Sequence, residues 1–382
     1  MFFGKQLMTS AASYTQALDK VIADVISPAA IEVDKNAAFP RAAMDALART
    51  GLLGLISAKE VGGLGEGMRA ASAVVERIAE VCGSTAMVTA MHYSGAAVIE
   101  KFGAMPVRKE IAAGKHLTTL AFSEAGSRSH FWAPVSTATK ANGSIVLDGN
   151  KSWITSASEA DSYVWSSKPV AAEGASTIWL VASKAHGVST VAPFDGLGMR
   201  GNASSPVKGV QVKVSEAERL GADGGGFDVM MGTVLPIFSL LNASAALGTA
   251  EAAIKKAAAH VGQTKFQHLG SSLADLPTIR AYIARARIKV DSARALRDDT
   301  LSALESNRAD AMLRVLEVKA AAGETALEVT DIAMRVCGGA AFRKDVGIER
   351  HFRDARAASV MAPTSDVLYD FIGKAACGLP LF

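Results

Sequence analysis

Cysteine is scarce. Three thiols, Cys82, Cys337 and Cys377, stand far apart among 382 residues and form no Cys-x-x-Cys pair. That count supports neither a disulfide framework nor a zinc site, and it favours a reducing, cytoplasmic setting. Excess charge of one sign is also missing. Forty Lys and Arg against 37 Asp and Glu leave a formal charge of +3, with no block of like charges, so the footprint of a nucleic-acid binder is absent. Charged residues reach only 20% against 49% hydrophobic ones, which excludes a disordered chain and points to a homo-oligomer, dimer or tetramer, that buries surface between subunits. The start, Met1-Phe2-Phe3-Gly4-Lys5, lacks a signal-peptide pattern, so no export is expected. One uncharged run, residues 229–250, has the length of a membrane span. It holds Pro236, Asn242, two serines and two threonines between Asp228 and Glu251, and is read as a buried interior helix with no membrane span.

What is present falls into three zones. Residues 1–115 carry apolar residues at helical spacing, as in Phe39-Pro40-Arg41-Ala42-Ala43-Met44, where proline suits a first helical turn. The loop Gly62-Gly63-Leu64-Gly65 is not read as a phosphate cradle, because no strand precedes it. Residues 116–228 switch to β-branched alternation, as in Ser144-Ile145-Val146-Leu147 and Thr177-Ile178-Trp179-Leu180-Val181, punctuated by Asn142-Gly143 and Asp148-Gly149. This predicts antiparallel sheet. All four tryptophans, Trp132, Trp153, Trp165 and Trp179, fall there. Residues 229–382 return to helix, with long segments expected over 236–261, 272–305 and 308–336, the last closed by Gly338-Gly339. Strands in one block between helical blocks predict an α+β chain with segregated lobes rather than a doubly wound parallel sheet.

The order of several motifs resembles the acyl-CoA dehydrogenase family of flavoproteins. The carrying segments are Phe39-Pro40, Gly51-Leu52-Leu53-Gly54, Ala121-Phe122-Ser123-Glu124 with Gly126-Ser127, and Gly149-Asn150-Lys151-Ser152-Trp153-Ile154-Thr155. They continue with Gly198-Met199-Arg200-Gly201-Asn202, Gly224-Gly225-Gly226-Phe227, Cys337-Gly338-Gly339 and Glu349-Arg350-His351-Phe352-Arg353-Asp354-Ala355-Arg356. The resemblance implies an N-terminal helical domain over 1–115, a middle β domain over 116–228 and a C-terminal four-helix bundle over 229–382. It also implies FAD as cofactor and an acyl thioester or other hydrophobic molecule as substrate. A flavin reductase or an electron-transfer protein is the implied partner. A flavin needs hydrogen-bond donors at its ring edge and an aromatic wall. By the resemblance, Phe122 and Ser123 lie along that edge, Trp153 packs beside the ring, Thr155 reaches toward N5 and Thr364 toward the ribityl end. Ser127 matches a serine near the pyrophosphate, although Arg128 replaces the usual Asp after it. Phe266, Arg335, Gly338 and Gly339 match residues that a neighbouring subunit brings to the adenine end, where the usual arginine is lost and Lys265 and Arg335 are possible substitutes.

Family dehydrogenases remove the α-proton of the thioester with a Glu. The two positions where that Glu is found correspond here to Ala362 and Phe238, neither of which takes a proton. Candidate replacements are Asp366, four residues on, His92 in Met91-His92-Tyr93-Ser94, and His130 in the altered loop beside Arg128 and Trp132. His351, between arginines, is read as structural. Three functions follow: an oxidoreductase acting on the CH–CH group of a thioester with a non-standard base, a monooxygenase on the same fold using reduced flavin and oxygen, or a catalytically silent ligand-binding member. In the first, the main-chain N–H of Ala362 still polarises a thioester carbonyl.

Overall fold

The computed structural model describes residues 11–128, 130–141 and 143–381. Its first 112 residues supply helices α1 (Ala11–Val21), α2 (Ser27–Lys35), α3 (Arg41–Arg49), α4 (Met68–Ala79), α5 (Gly83–Phe102) and α6 (Met105–Ala112). Pro40 precedes α3, and Gly51, in the left-handed region at φ +79°, follows its last turn. The α4 and α5 helices bury most of their apolar residues in one cluster with the start of the later long helix.

Seven strands follow: β1 (Thr118–Ala121), β2 (Thr137–Ala141), β3 (Ser144–Ile154), β4 (Ser162–Ser167), β5 (Thr177–Ala182), β6 (Val188–Thr190) and β7 (Ser205–Val214). They form two sheets, β1-β4-β5 and β2-β3-β7-β6. All pairs are antiparallel except β1 with β4, so the middle zone is the antiparallel β domain expected, with one parallel pair added. The chain between β1 and β4 builds the β2–β3 hairpin of the other sheet and then re-enters the first sheet in the direction it left, as a parallel pair requires. Trp165 and Trp179 sit directly opposite each other on β4 and β5 and are fully buried.

The remaining helices are α7 (Gly226–Val229), α8 (Leu235–Gln263), α9 (Pro277–Glu305), α10 (Ala311–Cys337), α11 (Ile348–Val360) and α12 (Ser365–Ala376). A π-helical turn, Met230–Val234, joins α7 to α8. Helices α8 to α11 pack as a bundle with α10 at its centre. Gly226–Gln263 is apolar enough to cross a membrane, but 83% of its apolar window is buried inside the protein, as expected of an interior helix. Three arginines of α9 bind its neighbours: Arg287 and Arg294 pair with Glu251 on α8, and Arg294 and Arg297 with Glu76 on α4.

Candidate active site

A cavity of about 790 Å³ opens where the three zones meet. One wall is the loop after β1 and the end of β3, with Phe122, Ser123, Trp153 and Thr155. The opposite wall is the start of α8 and the turn after α11, with Phe238, Met361, Ala362 and Thr364. The loop 196–204 closes one side. It approaches α11 so tightly that a Cβ at Gly198 would lie 2.5 Å from the Arg353 main-chain oxygen, and Asp354 fixes it by accepting the Met199 N–H. Burial pushes the Asp354 carboxyl up to about 6, against the pull of that hydrogen bond and of Arg350.

The first wall is built on a buried ion pair. Lys151 on β3 donates to Glu124, to the Ser166 carbonyl (2.6 Å) and to Ser166 Oγ (3.0 Å), with its ammonium 4.8 Å from the Trp165 ring centre. Glu124 also accepts from the Val135 N–H (2.6 Å), the Ser136 N–H and the Ser136 hydroxyl. Burial alone raises the Glu124 carboxyl, but the Lys151 charge and these donors outweigh it and hold it below its ordinary value. Burial lowers Lys151 to about 8, still a cation at neutral pH. The pair locks the loop to β3, and the Ser152 N–H donates to the Ser123 carbonyl at 2.8 Å beside it.

Trp153 departs from ordinary strand geometry. The β3–β7 register shifts between Lys151 and Ile154, and Trp153 has φ +57°. A bulge re-aims one side chain out of the sheet, and left-handed backbone at a bulky residue costs of order 1–3 kcal/mol. The indole is consequently 64% exposed, against the Phe194 ring at 4.2 Å. It is not a core tryptophan, unlike Trp165 and Trp179. Thr155 is buried with its hydroxyl 3.4 Å from Ser204 Oγ, and Phe122 stacks on Phe131, 6.5 Å between centres. Ser127 is outside the cavity wall, and its buried hydroxyl has no partner among the described residues.

The three candidate bases, His92, His130 and Asp366, are not among the residues that line the cavity. His92 is fully buried, its Nε2 against the Leu53 carbonyl at 3.0 Å and its Nδ1 accepting from the Thr118 N–H at 3.2 Å. Both ring nitrogens are spent on holding the turn before α4 to β1, with the proton on Nε2. His130 is exposed, edge-on to Trp132 at 5.1 Å. Asp366 is exposed in the first turn of α12. Among the described residues the cavity wall holds one carboxylate, Glu124, already saturated. His351 is buried and lowered to about 3 by burial and then by the charges of Arg350, Lys256 and Arg353, which keeps it neutral and structural.

Burial lowers His92 to about 4 from 6.5, so below pH 6.5 the unfolded chain takes up a proton that the folded one refuses until about pH 4. Its share of stability is therefore lost as pH falls through that window, by at most about 1.4 kcal/mol per pH unit. His92→Gln keeps a donor and an acceptor but does not titrate. Urea unfolding from pH 4 to 7 will show a shallower acid loss for this variant, and an unchanged slope counts against the assignment.

Phe266, Arg335, Gly338 and Gly339 are not brought to the cavity. Phe266 lies on a short strand, β8 (Lys265–Phe266), paired with β9 (Ser271–Ser272), and Arg335 donates to Tyr282 at 2.8 Å. Helix α8, 29 residues long, separates this end from the cavity by about 40 Å at 1.5 Å per residue.

Family models for the N-terminal, middle and C-terminal domains of acyl-CoA dehydrogenase match residues 11–114, 119–212 and 224–377. The chain belongs to the acyl-CoA dehydrogenase family. It is 30% identical over 350 residues to the mitochondrial short-chain specific acyl-CoA dehydrogenase of Bos taurus, covering 89% of this chain and 83% of that protein. It is 29% identical over 358 residues to cyclohex-1-ene-1-carbonyl-CoA dehydrogenase of Syntrophus aciditrophicus (strain SB), covering 91% and 85%. Its fold matches butyryl-CoA dehydrogenase from Megasphaera elsdenii with a TM-score of 0.89, at 22% identity, over 99% of this chain and 100% of that one. The protein is therefore a flavin-dependent oxidoreductase with FAD as its cofactor. Ala362 and Phe238 both line the cavity, and neither side chain can take a proton. The residues present fit the cofactor: an exposed indole on the cavity wall and, outside that wall, an orphaned buried hydroxyl at Ser127.

Proposed function

We propose that this acyl-CoA dehydrogenase-family protein interconverts the CH–CH and C=C forms of an acyl thioester, with water rather than a side-chain carboxylate carrying the α-proton. The observation behind this is the cavity wall itself, whose single carboxylate is locked to Lys151 while Ala362 and Phe238 occupy the positions of a base. Phe122, Ser123, Trp153 and Thr155 hold the flavin ring, Thr364 meets the ribityl end, and Ser127 turns its free hydroxyl toward the pyrophosphate. Phe266, Arg335, Gly338 and Gly339 serve the adenine end of a neighbouring subunit's FAD, which makes the working form a homo-oligomer, in a cytoplasmic setting. FAD, when bound, would supply the hydride acceptor for Cβ. The chain's own part is to align the acyl group against that ring, to polarise the thioester carbonyl, and to admit water at Cα. An electron-transfer protein as the onward acceptor fits this reading. The three zones 1–115, 116–228 and 229–382 act as its N-terminal, middle and C-terminal domains.

Anaerobic titration of the FAD-loaded protein with saturated acyl-CoAs tests this reading. Bleaching of the visible flavin band supports it. A flavin that stays oxidised with every thioester, yet consumes oxygen and oxygenates a hydrophobic substrate once reduced, transfers the assignment to the monooxygenase.

Arg128 lines the cavity and forms no ion pair with a described residue. An unpaired cation at a ligand cavity fits the phosphates of CoA. Arg128→Ala is expected to raise KM for a CoA thioester roughly tenfold, about 1.4 kcal/mol, and to leave the phosphate-free N-acetylcysteamine thioester unchanged. Equal loss with both substrates would assign Arg128 a different role.

A further inference from the structure

Lys319 on α10 is 1% exposed. Its Nζ donates to three main-chain carbonyls, Ala358 at 3.2 Å, Met361 at 3.0 Å and Pro363 at 2.8 Å. An ammonium carries three protons, so these acceptors saturate it. All three belong to the end of α11 and the turn that follows, the segment that carries Met361 and Ala362 into the cavity wall. Among the described residues no carboxylate pairs with this cation. Burial pulls its pKa down to about 7, and the three carbonyl dipoles oppose that by binding the charged form. A buried cation without a counter-charge is costly, whereas methionine would fill the same space without that cost.

The geometry of one peptide gives the lysine a task. The Met361–Ala362 bond is trans, and a planar trans peptide points its N–H opposite to its C=O. The Met361 carbonyl is turned inward onto Lys319. The Ala362 N–H is therefore turned the other way, toward the cavity side, and no described residue accepts it. Lys319 Nζ is also 6.0 Å from the ring centre of Phe238 on the same wall.

We propose that Lys319 is a positioning residue, which anchors and polarises the Met361–Ala362 peptide so that the Ala362 N–H is aimed at the carbonyl oxygen of a bound acyl thioester. A hydrogen bond to a peptide's oxygen strengthens the donor at its nitrogen, by roughly 10–30% in condensed-phase estimates. That donor faces the oxygen on which negative charge grows as the α-proton leaves. In a cavity without a free carboxylate, activation of the α-carbon falls to this side of the thioester. The inference rests on the thioester reading above.

The test uses an acyl-CoA carrying ¹³C at the thioester carbonyl, bound to FAD-loaded protein, with the carbonyl stretch read by isotope-edited infrared difference spectroscopy. The parent chain is expected to lower the stretch relative to free ligand. Lys319→Met is expected to return it toward the free value and to slow flavin reduction by at least roughly tenfold, while the thioester still binds. Lys319→Arg keeps a cation, but its planar fork does not reproduce a three-carbonyl cap, and an intermediate stretch is expected. Retained FAD spectrum and melting temperature establish that each variant is folded, and Lys319→Arg carries the test if Lys319→Met does not fold. A stretch unchanged from the parent in a folded variant overturns the role of Lys319 and leaves the thioester reading standing. Absence of any thioester binding by the parent chain overturns both.

Discussion

Ala362→Glu is expected to accelerate reduction of the bound flavin by an acyl-CoA by roughly 10²- to 10⁴-fold, the range a positioned general base contributes. Ala362 already lines the cavity on the wall opposite Trp153 and Thr155, and its small side chain leaves space for the longer one. A carboxylate there is half-buried, which raises its pKa toward the working pH. Phe238→Glu gives the informative contrast. The Phe238 ring centre is 6.0 Å from Lys319 Nζ, so an acid at 238 is within reach of a buried cation that would hold it ionised and weaken it as a base. Stopped-flow reduction under nitrogen separates the two, with the larger gain expected at 362. No gain at either position, with FAD and thioester bound normally, would mean that the proton already has a carrier in the protein.

The second large effect concerns the ion pair behind the wall that carries Ser123 and Trp153. Lys151→Met leaves the Glu124 carboxylate buried without its counter-charge, and losing one partner of a buried pair costs about 3–5 kcal/mol. The same change releases the loop and strand that present Ser123 and Trp153, so bound FAD should be lost together with stability. Adding Glu124→Gln removes the orphaned charge. The double variant is expected to be more stable than Lys151→Met alone, because the pair is coupled rather than additive. Chemical denaturation and flavin retention on gel filtration measure both quantities. A Lys151→Met protein that keeps its stability and its flavin would show that the pair does not hold the wall.

Local patterning made much of the fold legible. The expected helices at 236–261, 272–305 and 308–336 are observed as Leu235–Gln263, Pro277–Glu305 and Ala311–Cys337, because apolar periodicity and the Gly338-Gly339 stop are local signals. The parallel β1–β4 pair was illegible, since strand direction depends on where the chain travels between strands. At the site, Phe122, Ser123, Trp153, Thr155, Ala362 and Phe238, singled out from separate motifs, line one cavity. Helical spacing does not reveal that both ring nitrogens of His92 meet main-chain groups 39 and 26 residues away. Lys319 escaped attention for the converse reason. Its acceptors are carbonyls, which carry no residue-type signal, and a lone lysine in an amphipathic helix reads as solvent-facing. Glu124 and Lys151 were visible as members of motifs, but their pairing crosses 27 residues.

The proposed reaction, in which no side chain of this protein takes the α-proton, is tested most directly by chemical rescue. The rate of flavin reduction by a saturating acyl-CoA is followed anaerobically at fixed pH and ionic strength while formate is increased. A small carboxylate fits a wall that has alanine in place of an acid. The rate of the parent chain is expected to rise with formate concentration, and the rate of Ala362→Glu to be insensitive to it. A parent rate that is fast, independent of formate and inflected with pH by a single ionising group would contradict the account.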